Sequence, residues 1–371
     1  MTRPWIHLEE PTTAELADAV LELSPSREHG VLALVAEDSA ALVATVQETA
    51  RRAERALVGG LVPGLMADGA FVRRGVLLGR FDASTPRRLI AVGPDVQAGV
   101  DELVQFVAEQ ETSANDTLLL LVDTMLGDIA IIVDGAYREL GDSVTYAGTC
   151  VGSETFKPTR CLFDETSFID RGVFGLLMRG RDGVTLGHGY KGSEALWVAT
   201  TAEGSRVMRI GGRPAFDVYR ELVRTEYGVE IDRTTFYQHG VHFPLALSRG
   251  HGEPLVRIPI KVDEEGCVYC SGDVPENTLL SVVRAVPAGE VATARAIGEG
   301  TRDAAASSVL AFYCAGRLAH LGVEEATHEL AAIGEAAGRP LYGALSLGEI
   351  GAARATYPAF HNATIVAVPW S

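Results

Sequence analysis

Residues 30–36 (GVLALVA) form an unbroken apolar run, and Asp38 or Ser39 just beyond it can cap a helix whose apolar positions Leu42, Val43 and Val46 lie three and four apart. The pattern predicts a strand, a helix, the glycine-containing segment ALVGGLVPG (56–64) and a further strand FVRRGVLLG (71–79). The same order then recurs: TLLLLVD (117–123) as a strand, GDIAIIVDGAYREL (127–140) as a helix, VTYAGTCVG (144–152) and FIDRGVFG (168–175). Gly60 and Gly64 match Gly148 and Gly152, while Phe71, Arg74, Gly75 and Val76 match Phe168, Arg171, Gly172 and Val173. Agreement in both residues and element order predicts an internal duplication, against the competing reading of two glycine-rich hairpins alike by chance. Between the copies lie a strand, LIAV (89–92), and a helix after Pro94 with Val96, Val100, Leu103, Val104 and Val107 on one face.

After Gly180 come short strand candidates, then GGRPAFDVYRELV, in which Pro214 suits the first turn of a helix. A module boundary is placed there. FPLAL (243–247), PLVRIPIKV (254–262), GCVYCSG (266–272) and NTLLSVVRA (277–285) read as an antiparallel series. A helical stretch, the apolar run SVLAFYC (308–314), a helix over about 317–337, the strand YGALSL and a last strand NATIVAVPW complete the chain. The expected fold is α/β: two mixed modules, 30–211 and 214–370, with sheets flanked by helices and the first module duplicated.

Composition narrows the function classes. The 371 residues suffice for two domains, and a net charge of −17 with no basic run argues against a nucleic-acid or anionic-membrane partner. Apolar runs such as TLLLLV are too short to cross a bilayer, and the first residues, MTRPWIHLEEPTT, lack a secretion signal, so a cytoplasmic location is expected. Five cysteines thinly spread over the chain suit a reducing compartment. Forty glycines point to tight turns and close backbone approaches, which brings Gly148, Gly152 and Gly348 into view as loop positions beside a ligand.

Candidate chemistry gathers in the last sixty residues. YCAGR (313–317) leaves a strand and opens a helix, so Cys314 and Arg317 stand at a strand's carboxyl end, where ligands of open α/β sheets bind. Glu349 also follows a strand, and if the two strands are parallel neighbours it faces Arg317 on one edge, as a salt bridge or as the two poles of a ligand site. His361 and Asn362 open the last strand and join that cluster. Asn362-Ala363-Thr364 matches a glycosylation acceptor, which a cytoplasmic location leaves unused. The Cys267–Cys270 spacing has no second pair to complete a zinc site, and strand alternation puts the two thiols on opposite faces. His188, His239, His242 and His361 are the imidazoles that a metal or haem iron would need.

Several segments resemble the FIST family: YAGTCVGSE with RGVFGLLMRG, HGY at His188, IGGRPAFDVY, FPLAL, SGDVPENT, FYCAGR, LSLGEIG and FHNATIVAVP, in family order over nearly the whole chain. The resemblance implies a bacterial sensory module for small molecules, such as amino acids or related metabolites, usually fused to or encoded beside a signalling output domain. Some relatives are haem proteins that sense nitric oxide and regulate histidine kinases. Here nothing resembling an output domain precedes Gly30 or follows Trp370, so signalling is expected to need a separate partner, a histidine kinase or another signalling protein. Three readings are open at this point. The first is a colourless small-molecule sensor with no cofactor, holding its ligand through Cys314, Arg317, Gly348, Glu349, His361 and Asn362, with Gly148 and Gly152. The second is a haem sensor, and the third an enzyme with Cys314 as nucleophile and His361 or Glu349 as base.

Overall fold

The structure is a computed structural model describing residues 4–371 apart from 128, 181–182, 193–194, 251, 286, 303–304 and 353–355. The first copy of the repeated unit comprises β1 (Trp5–Leu8), α1 (Thr13–Leu23), β2 (His29–Ala36), α2 (Leu42–Ala53), β3 (Leu57–Val62), a hairpin of β4 (Leu65–Ala67) and β5 (Ala70–Val72), and β6 (Val76–Asp82). The second runs in the same order: β7 (Arg87–Ala91), α3 (Val96–Ala108), β8 (Thr117–Asp123), α4 (Ile129–Leu140), β9 (Thr145–Val151), the hairpin β10 (Leu162–Phe163) and β11 (Phe168–Ile169), and β12 (Gly172–Met178).

The duplication is in fact a triplication. A third copy opens with β13 (Thr185–Gly187) and is then interrupted by an inserted sheet and two helices: β14 (Lys191–Gly192), β15 (Trp197–Glu203), β16 (Arg206–Ile210), β17 (Arg213–Pro214), α5 (Ala215–Tyr227), α6 (Phe236–Gly240), β18 (Leu245–Leu247), β19 (Leu255–Arg257), β20 (Pro259–Val262), β21 (Val268–Cys270) and β22 (Leu279–Arg284). It resumes with α7 (Pro287–Gly300), β23 (Ser308–Cys314), α8 (Ala315–Leu321), α9 (Val323–Ala337), β24 (Leu341–Ser346), the hairpin β25 (Glu349–Gly351) and β26 (Ala359–His361), and β27 (Ile365–Trp370). The marks of the first two copies return weakly in it: Gly64 and Gly152 as Gly348, Phe71 and Phe168 as Phe360.

Each copy builds a six-stranded sheet: β1-β6-β2-β3-β10-β11, β7-β12-β8-β9-β25-β26 and β13-β27-β23-β24-β4-β5. The central pairs β2/β3, β8/β9 and β23/β24 are parallel, and β2, β8 and β23 are apolar runs buried on both faces, which parallel strands require. The outer two strands of every sheet are borrowed. The hairpin after β3 pairs with β24, the one after β9 pairs with β3, and the one after β24 pairs with β9. The exchange closes on itself, and β3, β9 and β24 meet pairwise at its centre. Helix pairs α1/α2, α3/α4 and α7/α9 cover the outside, with α2 burying Val43, Val46 and Ala50.

Several local expectations are corrected. Ser39 does not cap α2; its hydroxyl accepts the Gly75 amide. The expected strand 71–79 is two strands separated by Gly75, whose φ of 96° turns the chain. The helix over 317–337 breaks into α8 and α9 at Gly322, with φ 81° and ψ 164°. Pro214 precedes the first turn of α5. His361 and Asn362 do not open the last strand, because His361 ends β26 in a different sheet from β27. Asp128 of the expected helix 127–140 lies outside the described residues.

The interlock makes a prediction. A fragment ending at Gly180 leaves β9 without β25 and the β4–β5 hairpin without β24, so its edges expose unpaired backbone. We expect it to lack a cooperative thermal transition by circular dichroism, whereas the full chain shows one.

Candidate functional site

The cyclic exchange carries β25 of the third copy onto β9 of the second, setting Glu349 opposite Thr149 on one side and His361 on the other. Gly348, with φ 147°, makes the approach possible: a Cβ there would lie 2.3 Å from the Phe360 ring. Glu349 is fully buried. The Ser346 hydroxyl donates to its Oε1, the Thr364 amide donates to its Oε2 at 3.2 Å, and the Cys314 thiol lies within hydrogen-bond reach. Burial pushes the carboxyl up to about 8, against the pull of those three donors, so at neutral pH it carries its proton.

Cys314 ends β23 beside Ser346, its parallel neighbour on β24, and its sulfur accepts the Ala363 amide at 3.2 Å. Burial and the adjacent Glu349 raise its pKa, outweighing the backbone amides of Arg317, Ala363 and Gly316 that favour thiolate. Cys150, across the same cluster, is raised for the same two reasons. The thiols are therefore poor nucleophiles in this state. Burial lowers His361 to about 3, and its Nε2–H donates to the Gly351 carbonyl at 3.1 Å, so it is a weak base held in place. The arrangement suits binding by hydrogen bonds better than covalent catalysis.

Arg317 does not pair with Glu349. Its Nη2 lies 2.6 Å from Oε1 of Glu329 and its Nε 2.9 Å from Oε2, while Nη1 donates to the carbonyls of His188, at 2.5 Å, and Ala363, at 3.2 Å. The Tyr313 hydroxyl also donates to Glu329. Burial alone would lower the Arg317 pKa, yet the bidentate contact with Glu329 raises it. The physical reason for the difference from expectation is helical: Glu329 projects from α9 on the same face as Ala326, Leu330 and Ile333, and so reaches the start of α8 first. A buried glutamate on an apolar helix face was the overlooked signal.

Asn362 is 2% exposed, and its Oδ1 has no hydrogen-bond partner among the described residues. Gly148 lies within β9, where a Cβ would stand 2.2 Å from the Leu120 carbonyl oxygen, so strand packing accounts for it. Gly152 follows β9 with φ 136°, and its amide donates to the Leu61 carbonyl at 2.8 Å.

Among the described residues, His188, His239, His242 and His361 do not converge on one site. Both ring nitrogens of the buried His188 are engaged, Nε2–H with the Pro254 carbonyl at 3.1 Å and Nδ1 with the Tyr190 amide at 3.0 Å. His242 turns its Nδ1 to that of His320, 2.6 Å away, and His239 stands over the Phe243 ring. Two clefts of about 440 and 490 Å³ open elsewhere, around Ser84, Thr85, Pro86 and Gln110, and none of the described histidines lines either. Haem axial ligation finds no fit in these placements. Cys267 and Cys270 are likewise apart in role: Cys270 packs in the inserted core, while Cys267 joins Asp263 and Glu265 around Arg206, whose Nη2 lies 3.4, 2.9 and 3.2 Å from Asp263, Glu265 and Cys267.

The sequence matches the FIST N domain over residues 30–213 and the FIST C domain over residues 215–352. The chain belongs to the FIST family. In this FIST protein the FIST C match ends before β26 and β27, yet His361, Asn362 and Thr364 complete the cluster around Glu349. Two proteins named as uncharacterised, one from Mycobacterium bovis and one from Mycobacterium tuberculosis, are each 26% identical to it over 259 residues, which is 65% of this chain and 64% of each relative. No helix among the described residues is long and apolar enough to cross a membrane.

Two outcomes are expected. Glu349 titrates at about 8 when folded against an ordinary 4.5, so the folded state holds an extra proton between those values. Its contribution is full below pH 4.5 and is lost as pH rises to about 8, at up to ~1.4 kcal/mol per pH unit. A Glu349→Gln variant, isosteric with the protonated acid, should flatten this decline in urea melts taken across that window. Glu329→Gln removes the charge facing buried Arg317 and should cost about 3–5 kcal/mol of stability, read by the same melts.

Proposed function

We propose that this chain is a sensory module that takes up a small polar molecule beside Glu349 and passes the event to a separate signalling protein, such as a histidine kinase, in the cytoplasm. Family membership supports the sensory, small-ligand-binding class. The observation that carries the reading is Glu349 itself, a fully buried carboxyl with no ion-pair partner among the described residues, kept neutral at the junction of two copies. Structural carboxyls in protein interiors are usually paired, as Glu329 is, whereas unpaired ones with raised pKa concentrate at functional sites. A neutral carboxyl can donate one hydrogen bond and accept others, and the unpartnered Asn362 oxygen in the adjoining segment adds an acceptor.

A signalling route follows from the same pairing. Glu349 and His361 lie on the borrowed hairpin β25–β26, so a ligand that bonds to Glu349 acts on the seam where β25 meets β9. The test is a thermal-shift and calorimetric screen of small amides, alcohols, amines and acids against the full chain. We expect at least one binder whose affinity falls tenfold or more in Glu349→Met, which keeps the side-chain length but removes both donor and acceptor, with the fold intact. Binders indifferent to Glu349→Met would contradict the assignment.

A further inference from the structure

Two segments far apart in the chain bring imidazoles together. His239 and His242 stand where α6 runs into the turn before β18, and the His242 amide donates to the His239 carbonyl at 2.9 Å, so the two side chains are one helical turn apart. His320 comes from the last turn of α8. Its Nδ1 faces Nδ1 of His242 at 2.6 Å, with the ring centres 4.9 Å apart, and Tyr190 packs against it with ring centres 5.7 Å apart. All three histidines are partly buried, so the cluster is sheltered yet open to solvent.

Two ring nitrogens that face each other hold at most one hydrogen between them. The His320 ring also donates to the Ala285 backbone. With Nδ1 turned to His242, that bond falls to Nε2–H and leaves Nδ1 of His320 as a bare lone pair. A backbone carbonyl that fixes the far nitrogen of an imidazole and aims the near one is how proteins orient metal-bound histidines. Burial keeps both rings neutral: it lowers His242, and it takes His320 down to about 4 with the help of His242, Arg284 and Arg317. Arg317 is neutralised by Glu329 and Arg284 is exposed, so neither closes the site to a cation. No proton has to leave the protein when an ion enters, since the one hydrogen between the rings can move to Nε2 of His242.

We propose that His242 and His320, with His239 as a third donor, form a binding site for a divalent transition-metal ion such as Zn²⁺. Neutral imidazole is a preferred ligand of such ions. Two nitrogens on one tetrahedral zinc, each about 2.0–2.1 Å from it, lie about 3.3 Å apart, so the rings must separate by about 0.7 Å to admit the ion. His242 sits in a turn outside any helix or strand, where that movement costs little. A plain N–H···N bond between the rings is the competing reading, and it predicts no metal affinity. The acidic group Asp263, Glu265 and Cys267 is a poorer candidate, because Arg206 already supplies its cation. An ion held by His242 and His320 ties the inserted unit to α8, which starts next to Cys314. The site does not rest on the ligand proposed beside Glu349.

The experiment is isothermal calorimetry of Zn²⁺ into the full chain, stripped with a chelator and held at pH 7 in a buffer that does not bind metal. One ion per chain should bind. His242→Phe and His320→Phe keep a ring but lose the lone pair, and each should weaken binding about 100-fold or more, since even the partners that orient metal ligands are worth about 10- to 100-fold. His239→Phe should cost about tenfold. Because the rings are held neutral, binding should persist at about pH 5.5, where ordinary histidines are mostly protonated; loss by that pH marks adventitious surface histidines and counts against the site. If His320→Phe fails to fold, the partly exposed His242→Phe decides alone. No binding at micromolar Zn²⁺, or affinity unchanged in the folded histidine variants, overturns the proposal. So does affinity that survives those variants and is lost in Cys267→Ser, which puts the ion with Asp263 and Glu265 instead.

Discussion

The structure depends on one constraint: the two outermost strands at one edge of each six-stranded sheet must come from another copy. A strand edge leaves a row of backbone donors and acceptors open, and buried donors and acceptors must be met. Each copy ends its third strand in a hairpin that leaves for a neighbour, so β3, β9 and β24 are satisfied only when all three copies are assembled. The inserted sheet between β13 and α7 rides on this core without taking part in the cycle, and touches it through contacts such as that of Arg257 with β26. The polar cluster is a product of the interlock. Glu349 is delivered to β9 by the third copy, Thr364 reaches it from the turn into β27, and Cys314 and Ser346 reach it from the ends of β23 and β24.

Within that core the protein deals with buried acids in two ways. Glu329 meets Arg317 in a bidentate ion pair and accepts the Tyr313 hydroxyl as well. Glu349 has hydroxyl and amide donors but no ion-pair partner among the described residues, and desolvation leaves it neutral. The first arrangement fastens α8 to α9. The second leaves a group that changes charge at modest cost, which a ligand with a suitable donor or cation can exploit.

Element types were legible in the chain because continuous apolar runs and three-and-four spacing report burial directly: β2, β8, β23 and α3 fall where the pattern placed them. The first two copies were legible too, through matched glycines and phenylalanines. The third was hidden because about a hundred inserted residues separate β13 from α7 and only Gly348 and Phe360 keep the marks. Strand exchange could not be read at all, since pairing partners depend on assembly and leave no periodic trace. For the same reason Glu349 was placed at the end of β24 with Arg317 opposite, when it starts a strand of a different sheet and Arg317 belongs to Glu329.

The claim on which the functional account turns is that Glu349 is a neutral carboxyl at physiological pH. The direct measurement is an infrared difference spectrum between the wild-type chain and Glu349→Gln at pH 7, repeated at pH 9.5. The account predicts a protonated-carboxyl carbonyl band in the wild type at pH 7 that vanishes at the higher pH and is replaced by carboxylate absorption. Carboxylate absorption already present at pH 7, with no protonated band, would contradict it.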